Sequence, residues 1–217
     1  IIIAGGLYFS VSGYLMYNQA VKHVPLTEKV LALQSSSSYT KIADINQDFL
    51  DAVVAVEDKH FFKHSGIDIQ STLRAVLKNI KMMSFVEGGS SITQQVAKNM
   101  YFTQEKKIER KVAELFVVFQ LEKLYDKKEI LEFYVNMNYY GDGFYGVKNA
   151  SLGYFGILPS KLNLAQASLL AGLPNAPSAY QLSTGKDMAL QRQLEVLNAM
   201  LSQGYISQKQ MQSVIRN

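Results

Sequence analysis

Residues 46–68 read NQDFLDAVVAVEDKHFFKHSGID, and this stretch decides how the rest of the chain is interpreted. The apolar residues of its first half recur with the 3.6-residue period of a helix that buries one face. That helix leads directly into two adjacent carboxylates, Glu57 and Asp58. Gly66 then interrupts the pattern, and Asp68 is a candidate N-cap for the next helix. The stretch therefore predicts a buried helix with acidic side chains at its C-terminal end.

Helical periodicity continues to the end of the chain, and no run of alternating strands or internal repeat interrupts it. A short β-ribbon near residues 139–145 is the one predicted exception. The sequence therefore belongs to the all-α class. Further helices are predicted over residues 68–81, from 92 onward, and over 104–125, 126–136, 164–172, 187–203 and 207–216.

The composition of the 217 residues narrows the function classes. Hydrophobic residues make up 48% and charged residues 18%, which excludes a disordered chain. Cysteine is absent, which excludes disulfides, thiolate catalysis and cysteine-ligated zinc. The net charge of +4 suits an anionic partner such as nucleic acid, phospholipid or a pyrophosphate-bearing substrate, although an ordinary basic enzyme has the same balance.

The first 21 residues carry no charge, and the chain starts at Ile1 rather than at a methionine. As a helix they would be about 31 Å long, close to the thickness of a bilayer's hydrocarbon core. We therefore predict a transmembrane anchor, truncated at its N-terminus, over residues 1–21. The alternative is a buried core helix, because several polar residues interrupt the stretch. Residues 22–43, with a run of four serines, are interpreted as a linker to a domain over 44–217.

Two adjacent carboxylates at the end of an apolar helix suit acid–base chemistry, because burial makes a carboxylate a stronger proton acceptor. Glu57 is therefore a candidate general base. The alternative is that Glu57 is solvated and that Asp58 and Asp68 only cap helices. Glu57 and His60 also have the Glu-x-x-His spacing of carboxylate-bridged metal sites. No second Glu-x-x-His occurs, so a histidine metal site is disfavoured.

Residues 88–99 read GGSSITQQVAKN. Ser91 and Gln94 have capping-box spacing, which predicts a helix that starts at Ile92. Glycines before a helix allow a ligand to approach the backbone closely, and a helix N-terminus favours an anion. Hydroxyl and amide side chains suit sugars and phosphates. A well-capped helix without a ligand is the alternative.

Lys106, Arg110 and Glu114 are spaced four residues apart, so they share one face of the helix predicted over 104–125. Cations on such a face hold a pyrophosphate, and a carboxylate beside them holds a divalent cation. A solvated ladder of ion pairs is the alternative. The residues predicted to form the packing stripe of this helix are Ile108, Val112, Leu115 and Phe119.

Together these segments resemble the peptidoglycan glycosyltransferases, that is, the glycosyltransferase domain of class A penicillin-binding proteins and its monofunctional relatives. The second motif of that family is matched over 88–99, except that Ser91 replaces threonine. Outside the motifs, Gln166 stands where many members of the family have glutamate. The first motif is matched by Glu57, Asp58, Phe61, His64, Gly66 and Asp68. The later motifs are matched by Arg110, Lys111 and Glu114, by 128–131 with Asn136, by 154–156 and by 171–174.

The resemblance implies a single inverting transfer that polymerises lipid II into glycan strands. Glu57 would be the general base for the sugar 4-hydroxyl of the acceptor, and undecaprenyl pyrophosphate would leave the donor. Glu114 would be the second important carboxylate, beside the pyrophosphate or its Mg²⁺ or Mn²⁺ ion. The substrate-binding residues implied by the resemblance are Asp58, Phe61, His64, Gly89, Ser90, Gln94, Gln95, Lys98, Asn99, Lys106, Arg110 and Lys111.

The resemblance also implies a lysozyme-like all-α lobe and a smaller jaw lobe over about 69–87 that faces the membrane. A basic, apolar stretch of that kind lies well in a lipid interface, with plain packing as the alternative. The implied partners are lipid II, a lipid-linked glycan chain, the bilayer and other cell-wall synthesis proteins, but no nucleic acid. The implied location is the bacterial plasma membrane, with one span and an extracytoplasmic catalytic domain.

Two other functions share part of this pattern. A lysozyme-like glycan hydrolase would share the catalytic glutamate but would not need the cationic face. The chain is also compatible with a glycosyltransferase fragment of a bifunctional penicillin-binding protein. Two Ser-x-x-Lys strings, Ser38–Lys41 and Ser183–Lys186, are chance matches to a transpeptidase motif, because neither is accompanied by a Lys-Thr-Gly string.

Overall fold

The computed structural model describes residues 2–82, 89–103, 105 and 107–216, and these ranges fold into α-helices joined by short turns. Within them the all-α prediction is confirmed, and the predicted β-ribbon is reduced to one isolated bridge between Tyr139 and Tyr145. The helices are α1 (Ile2–His23), α2 (Leu26–Gln34), α3 (Gln47–Glu57), α4 (Ile69–Met82), α5 (Ile92–Tyr101), α6 (Ile108–Leu124), α7 (Lys127–Met137), α8 (Val147–Phe155), α9 (Leu164–Gly172), α10 (Pro177–Tyr180), α11 (Lys186–Ser202) and α12 (Gln208–Ile215).

Side-chain caps fix where several of these helices begin. Ser91 and Gln94 form the predicted capping box at α5, in which each side chain accepts from the other residue's backbone N–H. Asp126 and Glu129 make the same reciprocal pair at the start of α7. Asp68 accepts a hydrogen bond from the backbone N–H of Ser71 at 2.9 Å before α4. The helix starts predicted from capping residues are therefore confirmed.

The chain divides into two compact units, and the first comprises Ile1–Ser35 and Phe61–Tyr134. In this unit α6 packs against both α1 and α5. A Cβ on Gly13 would lie 2.6 Å from Cβ of Val112, so glycine is what allows α1 to approach α6. The ring of Tyr14 packs edge-on against Phe116 at 5.4 Å. The segment predicted as an anchor thus covers one side of α6.

The packing stripe predicted for α6 is corrected by the structure. Ile108 and Phe119 are exposed, whereas Ala113, Val117 and Leu121 are fully buried. Because α6 carries apolar residues on more than one face, its sequence pattern alone did not identify the face that enters the core. The residues spaced four apart from Ala113 form that face.

The second unit comprises Ser36–His60 and Val135–Asn217. Its centre is formed by α3, α9 and α11, each of which packs against the other two. The buried residues of α3 are those of the apolar stretch quoted at the outset, including Phe49 and Val53. α9 contributes Leu170, and α11 contributes Val196. This three-helix core holds the end of α3 in place.

The region interpreted as a linker is partly helical. Within residues 22–43, α2 forms over Leu26–Gln34, and Leu26 and Val30 bury one face of it. These two residues are four apart, so they lie on the same side of a helix.

No helix in the described ranges is both long enough and apolar enough to cross a membrane. The single-pass anchor over 1–21 and the jaw lobe over 69–87 therefore stay predictions.

Replacing Ser91 with alanine is expected to lower the free energy of unfolding by more than the loss of a cap alone. The Ser91 hydroxyl accepts from the Gln94 N–H at 3.1 Å and also donates to the buried carbonyl of Gly66 at 2.5 Å. Losing an N-cap costs about 1 kcal/mol, and leaving a buried carbonyl without its donor costs about 1–3 kcal/mol more. Chemical denaturation of the purified variant measures the sum.

The matched control is Ser207→Ala. Ser207 forms the same capping box at α12 but is exposed, so its loss should cost only the cap. Ser91→Thr keeps the hydroxyl and should retain most of the stability. Equal losses for the two alanine variants would contradict the role assigned to the Ser91–Gly66 hydrogen bond.

Candidate active site

Glu57 is the last residue of α3 and lies in the second unit. Its side chain is only 9% exposed, which excludes the alternative of a solvated carboxylate. Asn46 caps the start of the helix by accepting from the N–H of Asp48 at 2.8 Å. At the other end, the amide of Gln203 donates to the carbonyl of Ala55 at 2.9 Å, which satisfies one of the terminal carbonyls. Both ends of α3 are thereby fixed, and the position of Glu57 is fixed with them.

One side chain from elsewhere in the second unit contacts Glu57, and a second is affected by its charge. The guanidinium of Arg192, on α11, has Nη2 3.6 Å from Oε1 of Glu57. Tyr140 is fully buried, and its hydroxyl donates to the carbonyl of Val135 at 3.1 Å. Burial raises the pKa of Tyr140, and the nearby charge of Glu57 raises it further. The phenol is therefore neutral at physiological pH, and Arg192 contributes the positive charge.

Glu114 is the centre of a charged cluster in the first unit. Its side chain is 1% exposed, and each oxygen accepts from a cation of the same helix. Nη1 of Arg110 lies 2.7 Å from Oε2, and Nζ of Lys111 lies 2.5 Å from Oε1. Because Glu114 is buried, the alternative of a solvated ion-pair ladder is excluded. The three residues carry a net charge of +1, which is suited to an anion.

The cluster extends to the loop before α5. Nζ of Lys111 is 3.1 Å from the hydroxyl of Ser90, and the carbonyl of Gly89 accepts from Thr72 at 3.1 Å. Gly66 packs closely against α6, and a Cβ on Gly66 would lie 2.5 Å from Cγ1 of Val118. Its φ of +86° also favours glycine. The first unit therefore brings the glycines of two sequence motifs and the cations of a third close together.

The other predicted binding residues differ in their exposure. Phe61 is fully buried, with Nζ of Lys127 4.6 Å above its ring, and Gln94 is occupied in the capping box. Asp58 is also buried, whereas Gly89, His64, Gln95 and Lys98 are partly exposed, and Ser90 and Asn99 are exposed. Gly88 and Lys106 lie outside the described residues. Phe61 and Gln94 are thus occupied in packing and capping, and the substrate-binding role of the more exposed residues stays a prediction.

The sequence pattern did not single out Arg192 or Tyr140. Arg192 lies within the predicted helix 187–203, between the polar residues Gln191 and Gln193. Tyr140 falls in the glycine-rich segment that was interpreted as a ribbon. No local spacing connects either residue to Glu57, and Arg192 reaches it because α11 packs against α3.

The residues around Glu114 do not fit a resident divalent cation. Both carboxylate oxygens accept hydrogen bonds from cationic side chains, and those cations would repel a metal ion. In the described part of the chain, no group of three or more His, Cys, Asp or Glu residues has the geometry to hold a metal. The carboxylate as arranged here orients Arg110 and Lys111.

Comparisons with a family model and with curated proteins point to the same family. The sequence matches the family described as Transglycosylase over residues 25–201. It is 39% identical over 197 residues to a monofunctional glycosyltransferase of Staphylococcus saprophyticus, covering 88% of this chain and 73% of that protein. It is 42% identical over 177 residues to penicillin-binding protein 1A of Aquifex aeolicus, covering 82% of this chain and 24% of that protein.

A solved structure shares the fold. The crystal structure of penicillin-binding protein 1A from Haemophilus influenzae superimposes with a TM-score of 0.50 at 23% identity, covering 82% of this chain and 17% of that one. The chain therefore belongs to the transglycosylase family, the peptidoglycan glycosyltransferases that its motifs resemble. It spans about a quarter of the penicillin-binding proteins it matches and most of the monofunctional enzyme.

Proposed function

We propose that this chain polymerises a lipid-linked disaccharide, lipid II, into glycan strands and releases undecaprenyl pyrophosphate. The observation that carries the proposal is the cluster of Arg110, Lys111 and Glu114. The buried carboxylate of Glu114 holds both cations, and Lys111 also contacts the hydroxyl of Ser90, so the cluster provides an anion site beside a hydroxyl group. A pyrophosphate leaving group requires such a site, because negative charge accumulates on it as the bond to the sugar breaks.

In the proposed reaction the 4-hydroxyl oxygen of the acceptor sugar attacks the anomeric carbon of the donor. Glu57 accepts the hydroxyl proton as the new carbon–oxygen bond forms. The bond from the anomeric carbon to the pyrophosphate breaks with its electron pair, and the cationic cluster stabilises the departing anion. One displacement inverts the anomeric centre and needs no covalent intermediate. Glu57 therefore acts on the acceptor, and Glu114 belongs with the leaving group.

A glycan hydrolase is the competing function, and the described residues do not favour it. Hydrolysis of a glycosidic bond releases a sugar rather than a pyrophosphate. A hydrolase would therefore not need a cluster of net charge +1 around a buried carboxylate.

The divalent cation predicted with Glu114 stays a prediction. No step of the proposed reaction is routed through it.

We propose that the chain acts at the bacterial plasma membrane, where a lipid-linked substrate is found. Exposed apolar side chains on α1 and α4 of the first unit support this location. Large apolar groups at such positions favour contact with lipid. These exposed side chains are Leu7, Tyr8, Val11, Leu15, Ile69, Leu73, Leu77 and Met82.

Incubation of the purified chain with lipid-linked disaccharide in lipid vesicles tests the proposal. The expected result is a ladder of glycan polymers on a denaturing gel, with the chain floating together with the vesicles on a density gradient. Preformed glycan strands, supplied in a parallel incubation, should remain intact. Cleavage of those strands without any polymer would refute glycosyl transfer, and a chain that sediments away from vesicles would refute the membrane location.

A further inference from the structure

A pocket of about 700 Å³ lies between the C-terminal part of α1 and the end of α5, within the first unit. No residue with a role in the proposed reaction lines it. Its apolar lining includes Ala20, Tyr101 and Phe102, and its polar lining includes Lys22 and His23. Ligand pockets in proteins are typically about 300–1,000 Å³ in volume. A lining that combines apolar and cationic groups suits an amphiphile with an anionic part.

Hydrogen bonds hold one wall of this pocket in place. The hydroxyl of Tyr101 donates to the carbonyl of Val24 at 2.8 Å, which joins the end of α5 to the residue after α1. Phe102 comes next in the chain, and its backbone N–H donates to the carbonyl of Lys98 at 2.8 Å. The rings of Tyr101 and Phe102 lie 6.2 Å apart between centroids. The aromatic wall is therefore formed before any ligand binds.

Lys22 and His23 give the pocket an excess of positive groups. Both residues are exposed, and none of the ion pairs formed among the described residues uses either side chain. Two opposite charges of α2 offset each other nearby, because Nζ of Lys29 lies 5.5 Å from the ring centroid of Tyr101 and the charge of Glu28 acts on the same residue. Lys22 therefore supplies an unneutralised charge, and His23 supplies a ring N–H donor.

The position of the pocket along α1 indicates a lipid as its ligand. The preceding part of α1 exposes Leu7, Val11 and Leu15, and large apolar groups at such positions favour contact with lipid. Lys22 follows Leu15 by seven residues, which is about 10 Å along a helix. The headgroup layers extend a bilayer by about 5–8 Å on each side of its hydrocarbon core. Basic and aromatic residues at that level contact lipid headgroups.

We propose that this pocket binds the headgroup and the adjoining acyl carbons of an anionic glycerophospholipid such as phosphatidylglycerol. Lys22 and His23 contact the phosphodiester, and Tyr101 and Phe102 contact the apolar part of the same molecule. The proposal rests on the proposed membrane location and adds to it a lipid class and a site. The bound lipid is not a substrate, because the residues that carry the proposed reaction do not line the pocket.

A fluorescent reporter in the pocket provides the test. The sequence contains no tryptophan, so Phe102→Trp gives the full chain a single indole at this position. Dihexanoyl-phosphatidylglycerol, titrated below its micelle concentration, should shift the emission to shorter wavelength and saturate, because the bound lipid removes water from the indole. Dihexanoyl-phosphatidylcholine has no net charge and should bind about tenfold more weakly. Inorganic phosphate has no apolar part and should cause no shift.

Variants in the reporter background separate a pocket from diffuse attraction between charges. Lys22→Gln should weaken binding of the phosphatidylglycerol by about fivefold, the contribution of one lysine near an anionic lipid. Ala20→Leu keeps both positive groups but fills part of the pocket, and it should weaken binding at least as strongly. Lys209→Gln is the matched control, because it removes an exposed lysine of α12 and should leave binding unchanged. Circular dichroism verifies the fold of each variant.

If Phe102→Trp does not fold, flotation with vesicles decides the question in its place. The unlabelled chain should float more completely with vesicles that contain phosphatidylglycerol than with vesicles of phosphatidylcholine alone. Lys22→Gln and Ala20→Leu should both remove that difference, and Lys209→Gln should retain it.

The outcomes distinguish this inference from the proposed function. Equal affinities for the two lipids, or an equal response to inorganic phosphate, would overturn the lipid site. Binding that Ala20→Leu leaves unchanged would also overturn it, because charge alone would then account for the attraction. A chain that polymerises the lipid-linked disaccharide but gives one of these results retains the proposed function alone. A chain that binds phosphatidylglycerol as expected but makes no polymer retains the lipid site alone.

Discussion

Glycan polymerisation by the Glu57→Gln variant is expected to fall by on the order of 10²–10⁴-fold, the contribution typical of a general base. Glutamine has nearly the same shape as glutamate but cannot take up the proton of the acceptor hydroxyl. The buried residues of α3 are apolar, Phe49 and Val53 among them, so the helical content should persist without that charge. Gel analysis of polymer formed over time, with circular dichroism on the same sample, measures both quantities.

The matched control is Asp51→Asn, the same carboxylate-to-amide change on the same helix. Asp51 accepts a hydrogen bond from Gln47 at 2.8 Å, and an asparagine oxygen can still accept it. Polymerisation by this variant should stay near the wild-type rate. Full activity of Glu57→Gln would show that another group serves as the base.

Glu114→Gln is expected to have the second largest effect, on both activity and stability. The amide keeps one acceptor oxygen but presents N–H donors to a side chain that is itself a cation. Arg110 and Lys111 would lose the charge that holds them in place. We expect polymerisation to fall by about 10²-fold, as for the loss of an oriented electrostatic donor. Removing one member of a buried ion pair should also lower the free energy of unfolding by about 3 kcal/mol.

Glu105→Gln is the control for this prediction. Glu105 pairs with Lys107 at 2.7 Å, but both side chains are more than half exposed. Surface pairs of this kind contribute little to stability, so rate and stability should both stay unchanged. If Glu114→Gln behaved like Glu105→Gln, the orienting role assigned to the buried carboxylate would be wrong.

The sequence predicted the starts of α5 and α7 because these starts are encoded locally. Ser91 and Gln94, or Asp126 and Glu129, lie three residues apart, and each pair satisfies backbone groups that any helix start leaves open. The Arg110–Glu114 pair was predicted for a similar reason, since residues four apart share a helix face. Local spacing alone was sufficient for these features.

The features that the sequence missed depend on contacts between distant segments. Arg192 reaches Glu57 only because α11 packs on α3, and no local pattern specifies that contact. The buried face of α6 was misassigned because Ile108 and Phe119 are as apolar as the residues that enter the core. The serine run led to the prediction of a linker, so α2 was missed. Leu26 and Val30 form the buried face of this helix. Tertiary packing decided each of these cases.

The central claim is that the chain transfers sugar units onto a growing strand and releases a lipid pyrophosphate. Its most direct test is the ratio of glycosidic bonds formed to undecaprenyl pyrophosphate released, measured with radiolabelled lipid-linked disaccharide. The wild-type chain should give one bond for each pyrophosphate, and Glu57→Gln should give neither product above background. Pyrophosphate release without a matching number of glycosidic bonds would mean that water is the acceptor, and it would contradict the account.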